Sequence, residues 1–222
     1  RIRPHSRAYV DAFREAARTP EVTELNCAPM SPTTARSPEV VHAPHQVLDD
    51  YYADQKSRRS FLGSIFDTTA RDYDRIERLV GFGTGPWYRR QALLRAGLAP
   101  GMQMLDVAIG TGLVTREAQT VMKGEGGIIG IDPSVGMMQS YAGAVPVTLV
   151  QGRAEMLPFA DAQFDFLSLG FALRHMDDLE RVFAEFRRVL KPGGRVLILE
   201  ITRPSGLVAR GMTRFYMRGV VP

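Results

Sequence analysis

Apolar and polar positions follow two different rhythms along the chain. From residue 102 onward, near-continuous apolar runs of strand length alternate with stretches whose apolar side chains recur every three or four positions. The runs are 102–109, 126–132, 145–151, 164–170 and 194–201, and the stretches between them, 113–123, 133–144 and 177–190, predict helices. Strands that are apolar on both sides need cover on both sides, which a parallel sheet with right-handed helical crossovers provides. The pattern therefore predicts an α/β domain over 98–222: a doubly wound, mostly parallel sheet with helices on both faces.

Upstream the texture changes. Residues 45–97 read as a helical lid region. Asp67 or Thr68 is placed to cap a helix running on through 69–80, the cluster Gly81, Gly83, Gly85 and Pro86 breaks it, and a second helix follows over 87–98. Residues 1–44 read as an N-terminal extension, with a short amphipathic helix over 6–18. Its linker over 20–44 carries Pro20, Pro29, Pro32, Pro38 and Pro44, which can sustain neither a helix nor a central strand.

Composition narrows the picture. With 222 residues, 45% hydrophobic and 23% charged, the chain has the balance of an ordinary globular protein. Its single cysteine, Cys27, excludes an internal disulfide and a zinc site built on several cysteines. His42 and His45 lie among the prolines without a third ligand in view, so no metal site is predicted. No apolar run approaches the ~18 residues of a membrane span, and no apolar signal core follows Arg1. The expected compartment is the cytoplasm, and a chain beginning at Arg1 is expected to be a fragment or a processed form. The net charge of +4 is matched by Arg203, Arg210, Arg214 and Arg218, beyond the last acidic residue, Glu200. Such a local basic tail does not make a nucleic-acid-binding surface. Within 207–218 the arginines recur at steps of four beside Leu207, Met212 and Phe215. This stripe suits either a peripheral membrane contact or a helix packed on the domain.

Candidate chemistry sits at the strand ends. The first run leads into Gly110-Thr111-Gly112, a turn that lets backbone approach a ligand where a Cβ would clash. The second ends in Asp132, twenty-two residues after Gly110, where a carboxylate can accept both hydroxyls of an adenosine ribose. Thr115 stands where the dinucleotide fingerprint G-x-G-x-x-G has its third glycine, which argues against a bound pyrophosphate. No Gly-Lys-Ser/Thr follows, which excludes a P-loop.

The segments FDTTARDYD (66–74), GTGPWYRR (83–90), LDVAIGTG (105–112), IGIDPSVGMM (129–138), AEMLPF (154–159), FDFLSLGFALRHMDD (164–178) and FRRVLKPGGRVLILE (186–200) together resemble class I adenosylmethionine-dependent methyltransferases. Among these they are most similar to the UbiE-like C-methyltransferases of ubiquinone and menaquinone biosynthesis, over about 60–222. The resemblance implies a Rossmann-like fold and S-adenosylmethionine as cofactor. It implies cofactor contacts from Asp106, Gly110, Thr111, Gly112, Asp132, Arg153, Ala154 and Gly170. Arg153 stands where the family usually has Asn or an acid, Gly170 where it has Ser, and His175 where it has Asn. The sequence ends before the antiparallel strand pair that usually completes the family's sheet, so that pair is expected to be absent.

For the acceptor, the resemblance implies an aromatic or quinol substrate. Arg174, just past the fourth strand, would stabilise a phenolate, or else form a structural ion pair. His175 is a base or a structural histidine, and Tyr73 closes over the substrate or packs in the core. Trp87 reads as a packing residue and Asp165, at the opposite end of its strand, as structural. Glu155 is a secondary adenine contact or a solvated loop acid. An O- or N-methyltransferase and a catalytically silent assembly protein on the same fold are the alternatives, because the cofactor half is shared while the substrate half varies.

Overall fold

The structure is a computed structural model that describes residues 55–141, 143, 146–200, 206 and 211. The predicted helix 6–18, the proline-rich linker, Cys27, His42, His45 and, apart from Gly211, the basic stripe 207–218 lie outside the described residues. So does nearly all of the stretch after Glu200.

Five strands form one parallel sheet in the order β3-β2-β1-β4-β5: β1 Gln103–Val107, β2 Gly127–Asp132, β3 Thr148–Gln151, β4 Phe164–Gly170 and β5 Leu190–Leu199. Alternate side chains of β1 and β4 point to opposite faces, and each face has its own core. Leu105, Val107, Leu167 and Leu169 pack with Val182, Phe186 and Val189, which share one side of α5 (Leu179–Val189). Met104, Phe166 and Leu199 face the other way. They meet Leu93 of α2 (Gly85–Ala96) and Val114, Ala118, Val121 and Met122 of α3 (Leu113–Met122). Each such buried side chain contributes about 1.5–3 kcal/mol, which explains the apolar character of β1 and β4 on both faces.

The elements depart from the sequence expectation in four places. The helix expected to start at Asp67 or Thr68 is α1, Gln55–Val80, which passes through both residues without a break. Thr68 Oγ1 donates back to the Ser64 carbonyl at 2.6 Å, so it bonds within the helix rather than capping it. Gly85 and Pro86 open α2 instead of only ending α1, because proline at the first helical positions loses no hydrogen bond. The stretch 133–144 yields only one short helix, α4 (Val135–Gln139), capped by Ser134, whose Oγ accepts from Met137 N at 3.1 Å. Strand β5 begins at Leu190 rather than 194, with a register irregularity opposite Phe164 and Phe166 that absorbs Pro192-Gly193-Gly194. Trp87 is not packed: it is 65% exposed. Asp165 is structural as read, accepting from Lys191 Nζ and from the Gln103 amide at the N-terminal edge of the sheet.

Candidate active site

In the order β3-β2-β1-β4-β5 the chain leaves β1 toward one side and returns on the other, so a crevice opens at the carboxyl ends of β1, β2 and β4. A cavity of about 400 Å³ occupies it, roofed by Leu62, Gly63, Phe66 and Tyr73 of α1. Gly110 and Gly112 take positive φ of 55° and 83°, and the Tyr141 ring fills the space where a side chain at Gly112 would go. Two non-glycine residues on the cavity wall also adopt the left-handed region, Ala108 after β1 (φ 54°) and Phe171 after β4 (φ 57°). That conformation costs about 1–2 kcal/mol per residue, and such strain gathers at ligand sites. Nothing in residue type signals it.

Asp132 ends β2 with its side chain turned into the loops. Oδ2 accepts from Gly110 N at 2.8 Å and Oδ1 from Ser134 N at 2.8 Å. Burial raises its pKa above the usual carboxylate value; the two amides oppose this, and the charge of Asp67 adds to it. Asp106 lies deeper in the same cavity wall. Thr115 Oγ1 donates to it at 2.6 Å and Ser168 Oγ at 2.5 Å. Burial pushes its pKa to about 6 despite those two bonds. Asp106 therefore braces β1 against α3 and β4.

Two carboxylates of α1 fasten that helix to the loops below. Asp67 Oδ1 accepts from Ser134 Oγ at 2.5 Å and Gly136 N at 3.0 Å. Asp74 accepts from Thr111 Oγ1 at 2.5 Å and from Arg116 Nη2 at 2.7 Å. The hydroxyl of Thr111 is thus turned to the lid helix. The sequence reading missed both roles: it took Asp67 for a cap and gave Asp74 none.

The remaining nominated residues converge on the same space. Ala154 is buried and lines the cavity with Arg153 and Glu155. Arg153 donates to Glu155 at 3.2 Å and to Asp177 at 2.5 Å. Burial would lower the Arg153 pKa, but these two carboxylates raise it overall, and Glu155 is held low in turn. Glu155 is accordingly no solvated acid: its second oxygen accepts from the Asp177 amide at 2.9 Å. Gly170 forms the wall at the end of β4, with Val114 close to the space a side chain there would occupy.

Tyr73, Arg174 and His175 reach the cavity from α1 and from the 3-10 turn Leu173–His175. Arg174 Nη1 donates to Glu200 at 2.9 Å and its Nε to His175 Nε2 at 3.3 Å, while the His175 ring stands edge-on to Phe66. Burial raises the Tyr73 pKa, although the charges of Arg174 and Arg89 pull it down. Arg89, which the sequence reading did not single out, also lines the cavity and is 2% exposed. Among the described residues no group of three or more His, Cys, Asp or Glu is placed to hold a metal ion. No helix among them is long and apolar enough to cross a membrane.

Comparison with known proteins agrees with this geometry. The demethylmenaquinone methyltransferase of Staphylococcus aureus strain MRSA252 is 34% identical over 174 residues, covering 77% of this chain and 72% of that protein. A SAM-dependent methyltransferase structure from Thermotoga maritima superposes with a TM-score of 0.54 at 25% identity, over 71% of this chain and 70% of that one. An S-adenosylmethionine-dependent methyltransferase from Methanococcus maripaludis shares the fold, with a TM-score of 0.55 at 20% identity over 68% and 70% of the two chains. The profile of the ubiE/COQ5 methyltransferase family matches residues 53–222. With its glycine turn, strand-end carboxylate and parallel sheet in place, the chain belongs to the ubiE/COQ5 methyltransferase family and is an S-adenosylmethionine-dependent methyltransferase.

Proposed function

We propose that this chain methylates a ring carbon of a demethylated quinol, as the names of its Staphylococcus aureus relatives suggest. The observation that carries the reading is the meeting of Tyr73, Arg174 and His175 in one cavity with the glycine turn and Asp132.

The residues present fit adenosylmethionine. The Gly110–Gly112 turn keeps side chains out of the crevice, and Ala154 leaves room on the adenine side beside Arg153. Each oxygen of Asp132 accepts one amide bond and keeps a lone pair for a ribose hydroxyl. Asp106 acts from below, by positioning β1, and Gly170 leaves the floor open. When bound, adenosylmethionine supplies a sulfonium methyl group to a nucleophile held in line with it.

This chain's part is to make carbon nucleophilic and keep the site dry. Arg174 brings a cation to the cavity, and a cation lowers the pKa of a nearby phenol. The ionised oxygen feeds electron density to the ring carbon that accepts the methyl group, and that carbon then gives its proton to water as the product leaves, which restores aromaticity. Tyr73 keeps its proton at neutral pH, because burial raises its pKa, so it serves as a hydrogen-bond donor to the acceptor rather than as a base. His175 accepts from Arg174 through Nε2, so it orients the guanidinium, and Nε2 takes the ring proton only if that bond breaks. Leu62 and Phe66 exclude water.

The reading is tested by anaerobic incubation with adenosylmethionine and demethylmenaquinol, demethylated ubiquinol or simple phenols, with the products resolved by mass spectrometry and NMR. A new carbon-bound methyl on a quinol ring is expected; exclusive O- or N-methyl products would overturn it. Asp132→Ala is expected to weaken adenosylhomocysteine binding by about 1.5–3 kcal/mol, the size of a lost charged hydrogen bond. Calorimetry on the folded variant measures this, and an unchanged affinity would remove Asp132 from the cofactor contacts.

A further inference from the structure

Arg89 is the most buried arginine side chain in an ion pair of the described residues, at 3% exposure, and most of its hydrogen-bonding capacity is unused. Nη2 donates to Glu77 Oε1 at 2.7 Å. Nε and Nη1 are buried and have no hydrogen-bond partner among the described residues. The guanidinium lies over the Phe171 ring, 5.7 Å from its centroid. Buried donors are nearly always satisfied, so each exception needs a reason. A guanidinium cannot shed its charge to escape burial, as a lysine can. Its neighbours have made room for it: Gly85 is where a Cβ would meet both Glu77 Oε1 and Arg89 Nη1.

Position shows what kind of partner would complete it. Arg89 lines the cavity beside Phe171, which follows Gly170 at the end of β4. Asp132 stands on the other side of β1, at the end of β2. The cavity thus has a carboxylate at one end, suited to hydroxyls, and an incompletely partnered guanidinium at the other, suited to an anion. Adenosylmethionine with its ribose at Asp132 and its body along the Gly110–Gly112 turn extends from β2 toward β4. Its one permanently anionic group, the carboxylate of the methionyl part, lies at the end remote from the ribose. A phenol oxygen of the acceptor would meet one of the two free donors, whereas a carboxylate has an oxygen for each.

We infer that Arg89 is the pocket's receptor for an anionic oxygen and that it holds the methionyl carboxylate of adenosylmethionine. The inference rests on the cofactor and not on which acceptor is methylated. Glu77 fixes the guanidinium through Nη2 and leaves the other donors for the ligand. Phe171, held in its left-handed conformation, supplies the ring beneath it.

Calorimetry with adenosylhomocysteine and with its decarboxylated analogue, in which a hydrogen replaces the carboxylate, tests this without turnover. The parent is expected to bind adenosylhomocysteine at least tenfold more tightly than the analogue. Arg89→Lys, which keeps the charge but loses the planar fork, is expected to reduce that preference, and the paired variant Glu77→Gln, Arg89→Met, which leaves no orphaned charge, to erase it while binding the analogue as the parent does. Melting temperatures with and without ligand report folding. Equal losses for both ligands would reduce Arg89 to a structural residue and overturn the inference. So would a preference that survives in both variants, or a parent that binds the two ligands equally or not at all. Intact adenosylhomocysteine preference with weakened binding of 1,4-naphthalenediol would move the anionic oxygen to the acceptor and overturn the carboxylate assignment. Failure of the quinol reading alone, seen as methylation of some other acceptor, leaves these binding results unchanged.

Discussion

Arg174→Ala is expected to lower turnover about 100-fold, the lower end of what removing one stabilising donor from a reacting oxyanion does, while adenosylhomocysteine binds nearly as in the parent. That split marks an interaction made with the reacting acceptor rather than with the cofactor. The pH–rate profile should also move upward, because without the cation the acceptor hydroxyl ionises at higher pH. Arg174→Lys keeps the charge near Glu200 but loses the Nε–H that meets His175, so it should recover the pH profile better than the rate. His175→Asn, which restores the family's usual residue, should be tolerated. Rates from pH 6 to 9 with saturating adenosylmethionine and the best acceptor measure all three. Equal rates for Arg174→Ala and the parent across that range would leave Arg174 a structural residue, paired with Glu200 and His175.

The second large effect concerns stability. Burial pushes the Asp106 carboxyl up to about 6, from an ordinary value of 3.8. Between those two values the folded chain keeps a proton that the unfolded chain has lost. The protonated form therefore favours the fold below about pH 4, and that contribution disappears as pH rises through 6. Its size is about 3 kcal/mol at 1.36 kcal/mol per tenfold. Glu155 and Glu185 work in the opposite sense: their pKa values are held low by Arg153 and Arg188, so their contributions are lost on acidification. Comparison with Asp106→Asn cancels those groups and isolates Asp106. Asparagine keeps the shape and still meets Ser168 and Thr115. Urea unfolding at pH 4 and pH 7 should show the variant gaining about 2 kcal/mol on the parent over that interval, the rest of the span lying below pH 4; a constant difference would place the Asp106 pKa near its ordinary value.

What the sequence disclosed follows from the range of the forces involved. The five strands and their parallel order of crossovers were legible, because continuous apolar runs such as 164–170 have few other homes. The glycine turn and Asp132 were legible because backbone freedom and a strand-end carboxylate are written in residue type. The unbroken α1 was not: Asp67 has the composition of a helix cap, and only the distant Ser134 and Gly136 give it other work. Arg89 was invisible for a similar reason. Beside Arg90 in sequence it looks like one of a pair of surface cations, yet only Arg90 keeps an exposed guanidinium, reaching in to the buried Glu117, while Arg89 turns wholly inward to Glu77. The left-handed Ala108 and Phe171 carry no compositional mark at all. Local signals placed the elements, and long-range contacts decided what the polar side chains between them do.

The two aspartates that fasten α1 to the loops after β1 and β2 sit seven residues apart, two turns of one helical stripe. Each added residue rotates a helix by about 100°. A single insertion or deletion between 67 and 74 would carry one carboxylate off its partners however well the composition was kept. The same rotation would swing Leu62, Gly63 and Phe66 relative to Tyr73 and redraw the roof of the cavity. In this stretch the count of residues is therefore under tighter constraint than most of their identities. Drift in acceptor preference is open to substitution on the roof but closed to changes in its length.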